Sequence, residues 1–253
     1  MLNTQARLQT ANNVSEECIF ELQSQAFSMI NGAEFLDAIE LSKVELERFS
    51  SHWSNLVLDE HMADGGLYRY RRYGQFYVDS QTKETNLMPH ESYVQPSYIN
   101  NLNGDVQRFF EPLEKEFVES DALKKILTFL TRTYNDVLSE SINWNIRLHP
   151  YRVIASDKIT GLPTPEGLHR DGVTFIASLL IHRNNISGGT TTITDSNKHI
   201  LEQVQLTKSF DLMMADDAKT MHEVSSLKPI NKEETSYRDV LVIAFTNPND
   251  IPL

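Results

Sequence analysis

The chain changes character at Asn143, and this change restricts its fold more than any other sequence feature. From there to the end, short runs of apolar and β-branched residues alternate with turn residues. This pattern is typical of a sandwich or jelly roll rather than of a sheet built from βαβ units. Asn184-Asn185 and Gly188-Gly189 are turn signals of this kind. Strands are predicted over residues 143–156, 167–171, 173–183, 190–195, 210–215, 218–224 and 237–245.

The N-terminal half shows mostly helical patterns. Ser42 and Glu45 form a capping-box sequence at the start of one predicted helix. Ser120 is predicted to cap another helix, over 122–138, whose apolar residues recur at helical spacing and therefore face a core. Further elements are predicted as helices after Ser15 and over 105–118, and as strands over 26–30 and 67–78.

The length and composition are consistent with one domain. A chain of 253 residues that is 40% hydrophobic can bury a substantial core. We expect a single domain over residues 1–253, of the α+β class with a mainly β core, in which residues 1–142 pack on a core formed by 143–253. The polar, proline-containing segment 81–103 is predicted to be a long connection over the site and a candidate lid.

His169 and Asp171 lie two residues apart, in Gly167-Leu168-His169-Arg170-Asp171-Gly172. On an extended strand, residues at this spacing point to the same face, so both side chains can reach one cation. His222, on a later predicted strand, supplies a third ligand. Two histidines and one carboxylate form the facial triad of non-haem Fe(II) oxygenases, which leaves coordination positions open for co-substrate and dioxygen. A structural zinc site is instead closed by four protein ligands.

An arginine interrupts an apolar predicted strand, Tyr237-Arg238-Asp239-Val240-Leu241-Val242-Ile243-Ala244-Phe245. A cation on a core strand requires an anion. The ordered set His169, Asp171, His222 and Arg238 resembles the iron(II)- and 2-oxoglutarate-dependent dioxygenases. The resemblance extends over about 69–245, and its local motifs are similar to the bacterial branch that hydroxylates free amino acids, such as isoleucine 4-hydroxylase. Those motifs are the Arg238 strand, Gly188-Gly189 and Leu148-His149-Pro150-Tyr151-Arg152.

This resemblance implies a double-stranded β-helix, the jelly-roll or cupin-like fold, buttressed by helices from the N-terminal half. It implies Fe(II) on His169, Asp171 and His222, with dioxygen and 2-oxoglutarate as co-substrates and Arg238 binding the far carboxylate of 2-oxoglutarate. The implied activity is hydroxylation of a small molecule, most simply a free L-amino acid. Many relatives place Ser or Thr two residues after this arginine, whereas Val240 stands here, so a second hydrogen bond to 2-oxoglutarate has to come from elsewhere.

Three further residues are candidates for substrate binding. The resemblance includes an Arg-x-Tyr stretch, here Arg71 and Tyr73, which either reaches the pocket or belongs to a solvated edge strand. Arg152 lies on the predicted strand before the metal motif, where its guanidinium could bind a substrate carboxylate bidentately or pair with a structural acid. His149, His182 and His199 are interpreted as structural or surface histidines, because none lies in a His-x-Asp pair.

Two other interpretations stay open at this point. A cupin-like metal enzyme that does not use 2-oxoglutarate would tolerate loss of Arg238. A non-catalytic, stress-related ligand-binding protein is disfavoured because all three metal ligands are present. The chain contains neither the Gly-x-Ser-x-Gly turn of serine hydrolases nor a phosphate-binding Gly-x-x-x-x-Gly-Lys loop, which excludes those two classes.

The charge and cysteine content restrict the partners. A net charge of −12 disfavours nucleic acid and anionic membranes, since both attract basic proteins. The single cysteine, Cys18, excludes an internal disulfide framework and suits a reducing compartment. Residues 1–13 are polar and contain no apolar targeting segment. We therefore expect a cytoplasmic protein, monomeric or homodimeric, that acts on a small molecule.

Overall fold

The computed structural model describes residues 2–97, 99 and 104–250, with side chains from Asn13 onward. Its helices are α1 (Leu2–Gln25), α2 (Gly32–Ala38), α3 (Lys43–Ser51), α4 (Lys115–Val118) and α5 (Asp121–Leu138), with a 3-10 turn over His52–Asn55. Its strands are β1 (Phe27–Ile30), β2 (Val57–Leu58), β3 (Arg69–Arg71), β4 (Gly74–Val78), β5 (Thr85–Leu87), β6 (Trp144–Ala155), β7 (Phe175–Asn184), β8 (Ile186–Ser187), β9 (Thr190–Asp195), β10 (Ile200–Gln205), β11 (Leu212–Asp216), β12 (Thr220–Val224), β13 (Lys228–Pro229) and β14 (Ser236–Thr246). None of the described helices is both long enough and apolar enough to cross a bilayer.

Two antiparallel sheets form the core. The main sheet has the strand order β1-β11-β7-β14-β6-β3-β2, with β4 and β5 attached through β6, and the smaller sheet has the order β10-β9-β12. Side chains from both sheets form a shared apolar layer that includes Ile176, Leu180 and Val240 from the main sheet and Ile193 from the smaller one. This is the double-stranded β-helix expected from the sequence. The pocket described below opens between the two sheets.

The helices cover the other face of the main sheet. Leu123, Ile126 and Leu130 of α5 are buried in one apolar cluster with Leu241 and Ile243 of β14. Successive strand residues point to opposite faces, so β14 packs one set of side chains on the helices and turns the other set towards the pocket. The predicted role of α5 as a buttress of the sheet is confirmed.

The predicted helix starts are confirmed where a capping side chain is present. The Ser42 side chain accepts from the backbone N–H of Glu45, whose carboxylate accepts from the backbone N–H of Ser42. Ser120 accepts from the N–H of Leu123 at the start of α5. Ser15, however, lies inside α1 rather than before its start, so the prediction that a helix begins after Ser15 was wrong.

Other local predictions fail where pairing across the chain overrides local preference. The helix predicted over 105–118 is reduced to α4, because Arg108 forms a bridge with Tyr93 and Pro112 cannot continue a helix. Residues 67–78 form two strands rather than one, and residues 167–171 are not a strand but contain one isolated bridge, from His169 to His222. The sequence analysis did not predict β10, whose side chains are mostly exposed.

Candidate functional site

His169, Asp171 and His222 converge on one point between the sheets. Their ligand atoms all lie within 4.8 Å of one another. Nε2 of His222 lies 3.5 Å from Oδ2 of Asp171, and the centroids of the two imidazole rings are 4.5 Å apart. The structure therefore brings together the three side chains that the sequence proposed as metal ligands.

Backbone pairing holds the two histidines side by side. The N–H of His169 donates to the carbonyl of His222 at 3.0 Å, and the N–H of His222 donates to the carbonyl of His169 at 2.9 Å. Nδ1 of His169 lies 2.8 Å from the carbonyl oxygen of Gly167, which accepts a hydrogen bond from the Nδ1–H group. This hydrogen bond leaves Nε2 of His169 as the nitrogen with a free lone pair, which a metal requires.

Burial and neighbouring charges shift the pKa values of the three side chains. For His169, burial lowers the pKa, but Asp171, Glu166 and the hydrogen bond to Gly167 together outweigh burial and raise it. Burial and the neighbouring His169 lower the pKa of His222 to about 3, so the ring is neutral at ordinary pH. Burial raises the pKa of Asp171, and the charge of His169 opposes that rise. A cation between these groups would favour the carboxylate form of Asp171, because an opposite charge stabilises the ionised state.

Asp217, which is not among the site residues predicted from the sequence, holds the loop that follows the His-x-Asp pair. Its carboxylate accepts from the backbone N–H groups of Asp171, Gly172 and Val173, at 3.1, 2.7 and 3.0 Å. Asp217 is itself buried, with 1% of its surface exposed. Three bonds to consecutive N–H groups fix the path of the backbone at Asp171, so Asp217 acts as a positioning residue.

Asp217→Asn is expected to weaken metal binding by about 10- to 100-fold, as is typical when an outer partner of a ligand is lost. The amide nitrogen would face N–H groups that need an acceptor. Titration of Fe(II) or Mn(II) into the two proteins measures the effect. Asp216→Asn is the matched control, because Asp216 lies in the same turn and pairs with Lys219 instead. Equal metal affinity in Asp217→Asn and wild type would show that Asp217 does not position Asp171 for metal binding.

Arg238 lies in the same pocket and has no acidic partner among the described residues. Only 4% of its surface is exposed, and its Nε is buried without a hydrogen bond. Its neighbour across the sheet is another arginine, Arg183, and burial together with this charge lowers the pKa of Arg238 to about 10. Gly189, at φ +73°, has no side chain, and this makes room for Arg183, because a Cβ at this position would lie 2.9 Å from Nη1 of Arg183. Such a cation calls for an external anion.

The alternation of side chains along two strands determines which residues line the pocket. On β14, Arg238 and every second residue after it face the pocket, while the residues between them face the helices or the outer side of the sheet. The same holds for β6, which pairs with β14 in register. The pocket-lining residues of these two strands are Arg238, Val240, Val242, Ala244, Arg147, His149, Tyr151 and Val153.

This alternation corrects the prediction for Arg152. It lies between two pocket-facing residues of β6 and so points to the opposite side of the sheet, outside the residues that line the pocket. Its Nε and Nη2 each donate to Asp239 at 2.7 Å, and Asp239 is fully buried. Arg152 therefore forms the pair with a structural acid that the sequence left open as the alternative.

Arg152→Gln is expected to lower the free energy of unfolding by about 1.5–3 kcal/mol, the usual worth of a hydrogen bond to a charged group, because Asp239 would lose its bidentate partner. The KM values for co-substrate and substrate should stay close to wild type. Denaturant unfolding and steady-state kinetics check the two parts. A raised KM for the substrate with an unchanged free energy of unfolding would instead show that Arg152 binds the substrate.

Arg71 and Tyr73 separate in the structure. Arg71 lines the pocket, is 2% exposed, and lies with its guanidinium carbon 3.5 Å from the centroid of Phe110. Tyr73 does not line the pocket; it is buried behind it and stacks on His149 with ring centroids 5.0 Å apart. Arg71 can thus touch a ligand, whereas Tyr73 supports the wall.

The three histidines interpreted as structural or surface residues do not join the metal cluster. His149 is buried, contacts Arg71 through Nδ1 and lines the pocket away from the cluster. His182 lies 3.5 Å from Asp239, and His199 is exposed and lies 3.1 Å from Asp195. Burial and the adjacent arginines lower the pKa of His149 well below its usual range.

The connection over 81–103 reaches the pocket through Tyr93, Gln95 and Ile99, which line it. Tyr98 and residues 100–103 lie outside the described residues. A lid function for this segment stays a prediction.

Comparison with known proteins identifies the family. The family model described as "2OG-Fe dioxygenase" matches residues 50–244. The chain belongs to the 2OG-Fe dioxygenase family. The match contains all three clustered ligands and Arg238. This dioxygenase is therefore an enzyme that depends on Fe(II) and 2-oxoglutarate and uses dioxygen, which sets aside the two interpretations without 2-oxoglutarate or without catalysis.

Solved structures share the fold of this dioxygenase. A bsmA homologue from Methylobium petroleophilum PM1 is 28% identical with a TM-score of 0.85, over 94% of this chain and 96% of that one. IDO from Bacillus thuringiensis is 21% identical with a TM-score of 0.76, over 93% and 96% of the two chains. The Fe(II)/α-ketoglutarate-dependent dioxygenase TqaL is 17% identical with a TM-score of 0.76, over 96% and 90%. A search of curated proteins finds no match.

Proposed function

We propose that this dioxygenase hydroxylates a small molecule with a free carboxylate, best matched by a free L-amino acid, and that His169, Asp171 and His222 bind its Fe(II). The observation that carries the proposal is that Arg238, a buried arginine with no acidic partner in the part of the chain that the structure describes, opens into the same pocket as the clustered ligands. A pocket with both a metal and an arginine suits 2-oxoglutarate, because the metal can bind its 2-oxo acid end and Arg238 can bind its second carboxylate.

The donor set fits Fe(II). Two neutral imidazoles and one carboxylate are the ligands this ion takes in the facial triad, and they leave open coordination positions. When bound, the iron supplies oxidative decarboxylation of 2-oxoglutarate to succinate, coupled to hydroxylation of the substrate. The chain holds the reactants in position and shields them from water.

Arg238 orients 2-oxoglutarate by donating two charge-assisted, parallel hydrogen bonds to its far carboxylate. Val240, Val242 and Ala244 follow it along β14 and form an apolar wall, which keeps water from the reacting groups. Val240 has no side-chain donor, so the second hydrogen bond that many relatives obtain two residues after the arginine comes from another group.

Arg71 and Glu166 suit the two charged groups of an amino acid. Arg71 presents a buried guanidinium to the pocket, which would bind the carboxylate. Oε1 of Glu166 lies 3.4 Å from Nε2 of His169, and the Glu166 carboxylate would accept hydrogen bonds from the ammonium group of the amino acid. Tyr93 and Ile99, from the connection over 81–103, also line this pocket, so the substrate site lies between the sheets and that connection.

Substrate-dependent release of succinate from a panel of free L-amino acids tests this function. At least one amino acid should raise succinate release above the uncoupled level and appear as a hydroxylated product by mass spectrometry. Arg71→Gln should raise the KM for that amino acid and leave the KM for 2-oxoglutarate unchanged. If no amino acid is hydroxylated while uncoupled succinate release persists, the substrate proposal is wrong.

A cytoplasmic location and a monomeric or homodimeric state complete this proposal. The location is supported by the free, buried thiol of Cys18, which suits a reducing compartment.

A further inference from the structure

Three arginines surround one aromatic ring in the pocket. The guanidinium carbons of Arg71, Arg108 and Arg147 lie 5.8, 4.9 and 5.9 Å from the centroid of Tyr93. They come from three separate parts of the chain, namely β3, the segment before α4, and β6. All three line the pocket, so their positive charges meet in one region.

The protein supplies little negative charge to this arginine cluster. The nearby Asp59 is bound by Arg69 at 2.8 Å, and it lies 3.8 Å from Arg71. No described carboxylate lies within 4.0 Å of Arg108 or Arg147. The residues whose side chains the structure does not describe, 1–12, 98, 100–103 and 251–253, include no aspartate or glutamate. Among the described residues, the Nε atoms of Arg71, Arg108 and Arg147 are buried and have no hydrogen-bond partner. Nη2 of Arg108 donates to the neutral side-chain oxygen of Gln95 at 3.1 Å.

Arg71 and Arg108 are buried and Arg147 is half-buried. Their guanidinium groups keep their charge, because arginine is not deprotonated in proteins. A buried charge without a partner is costly, so it is normally paired or bound to a ligand. His149 lies within this positive region, and burial together with Arg71, Arg147 and Arg108 lowers its pKa. A neutral His149 adds no charge to the arginine cluster. The cluster therefore carries the positive charge of its three guanidinium groups, with one aspartate, Asp59, beside it.

The arginine cluster is distinct from the Arg238 position. In the β6–β14 pairing, Arg238 lies opposite Val153, and Ala244 lies opposite Arg147. Six residues along a strand correspond to about 20 Å. A 2-oxoglutarate whose carboxylate is bound at Arg238 therefore does not neutralise Arg147. The anion for the cluster has to come from the other reactant.

We propose that the substrate of this dioxygenase carries two anionic groups, best matched by a dicarboxylic amino acid or a related dicarboxylic acid, and that both bind the Arg71, Arg108 and Arg147 cluster. This inference rests on the proposed function. The single carboxylate of a neutral amino acid would match only one of the three guanidinium groups, and its ammonium group would add a further positive charge. A second carboxylate supplies the remaining acceptor oxygens.

The test is calorimetric titration of acid and amide pairs into the anaerobic full-length enzyme loaded with Mn(II) and saturating 2-oxoglutarate. Saturation occupies the Arg238 position, so the probes report on the arginine cluster alone. The probes are L-glutamate with L-glutamine, L-aspartate with L-asparagine, and glutarate with its monomethyl ester. At least one acid should bind about tenfold or more tightly than its neutral partner, as expected for charge-assisted hydrogen bonds.

Arg147→Gln and Arg108→Gln should each reduce this preference for the acid by about tenfold while leaving 2-oxoglutarate affinity unchanged. Arg72→Gln is the matched control. It removes the same charge beside Arg71, but its guanidinium donates to the backbone carbonyls of Asn55 and Pro112 outside the pocket. The control should keep the preference for the acid.

Equal binding of acid and amide in every pair, or no binding by any dicarboxylate, overturns the proposal. Preference for the acid that survives both Arg147→Gln and Arg108→Gln also overturns it. In these cases 2-oxoglutarate binding and uncoupled succinate release would be intact, and the proposed function would stand. Failure of 2-oxoglutarate to bind the Mn(II) enzyme would instead count against the proposed function itself.

Discussion

Asp171→Ala is expected to abolish Fe(II) binding and turnover while the protein stays folded. The triad has one carboxylate, and its loss leaves two neutral imidazoles that cannot balance the charge of the ion. The fold should persist because Asp171 lies at the pocket and its backbone N–H, which the substitution keeps, is the group bound by Asp217. Metal titration, succinate release and thermal unfolding measure the three parts of this result. His169→Ala should behave in the same way.

His199→Ala is the matched control for the histidine substitution. His199 is exposed and pairs with Asp195 on the surface, so its loss should change neither metal binding nor turnover. Full activity in Asp171→Ala or His169→Ala would show that these side chains do not bind the iron. Loss of folding in either variant would show that the cluster also stabilises the sheets.

Arg238→Lys is expected to weaken 2-oxoglutarate binding by about tenfold or more, because lysine cannot reproduce the two parallel hydrogen bonds of a guanidinium group. Charge-assisted hydrogen bonds in a shielded pocket are worth roughly 1.5–3 kcal/mol each. Fe(II) affinity measured without co-substrate should stay close to wild type, since Arg238 is not part of the metal cluster. Titration of 2-oxoglutarate into the anaerobic Fe(II) or Mn(II) enzyme gives the first affinity, and titration of the metal into the metal-free enzyme without 2-oxoglutarate gives the second.

Arg238→Ala is a harsher variant, and it needs a stability measurement before its kinetics are interpreted. The side chain is buried, so its removal leaves a cavity on β14, which is a common cause of destabilisation. If Arg238→Lys binds 2-oxoglutarate as tightly as wild type does, the co-substrate carboxylate is bound by another residue. Arg183 would then be the first to test, because it lies beside Arg238 in the sheet.

The sequence predicted the parts of the site that depend on local spacing. A His-x-Asp pair, a histidine on a later strand and an arginine in an apolar strand can all be found in one dimension. The structure places these residues in one pocket. The strand that carries Arg238 extends over Ser236–Thr246, close to the predicted range of 237–245. Long, strongly patterned strands and well-capped helices are predictable because neighbouring residues determine them.

The remaining parts depend on which face of a strand is buried, and spacing alone does not decide this. Arg147 and Arg152 are both arginines on β6, and from the sequence only Arg152 was named as a candidate, with substrate binding and a structural acid both left open. An odd separation of five residues puts them on opposite faces, and only the packing of α5 shows which face is the helix side. Asp217 escaped notice for a related reason, since its three backbone partners lie more than forty residues away in sequence.

The two-faced character of β6 also limits how this enzyme can diverge. A one-residue insertion that shifted the pairing register of this strand would move Ile146 and Leu148 into the pocket and would turn His149 and Tyr151 towards the helices. Binding and folding would be lost together. Lineages descended from such a chain should therefore keep the length of β6 constant, and should acquire new substrates through substitutions at alternate positions or through changes in the connection over 81–103.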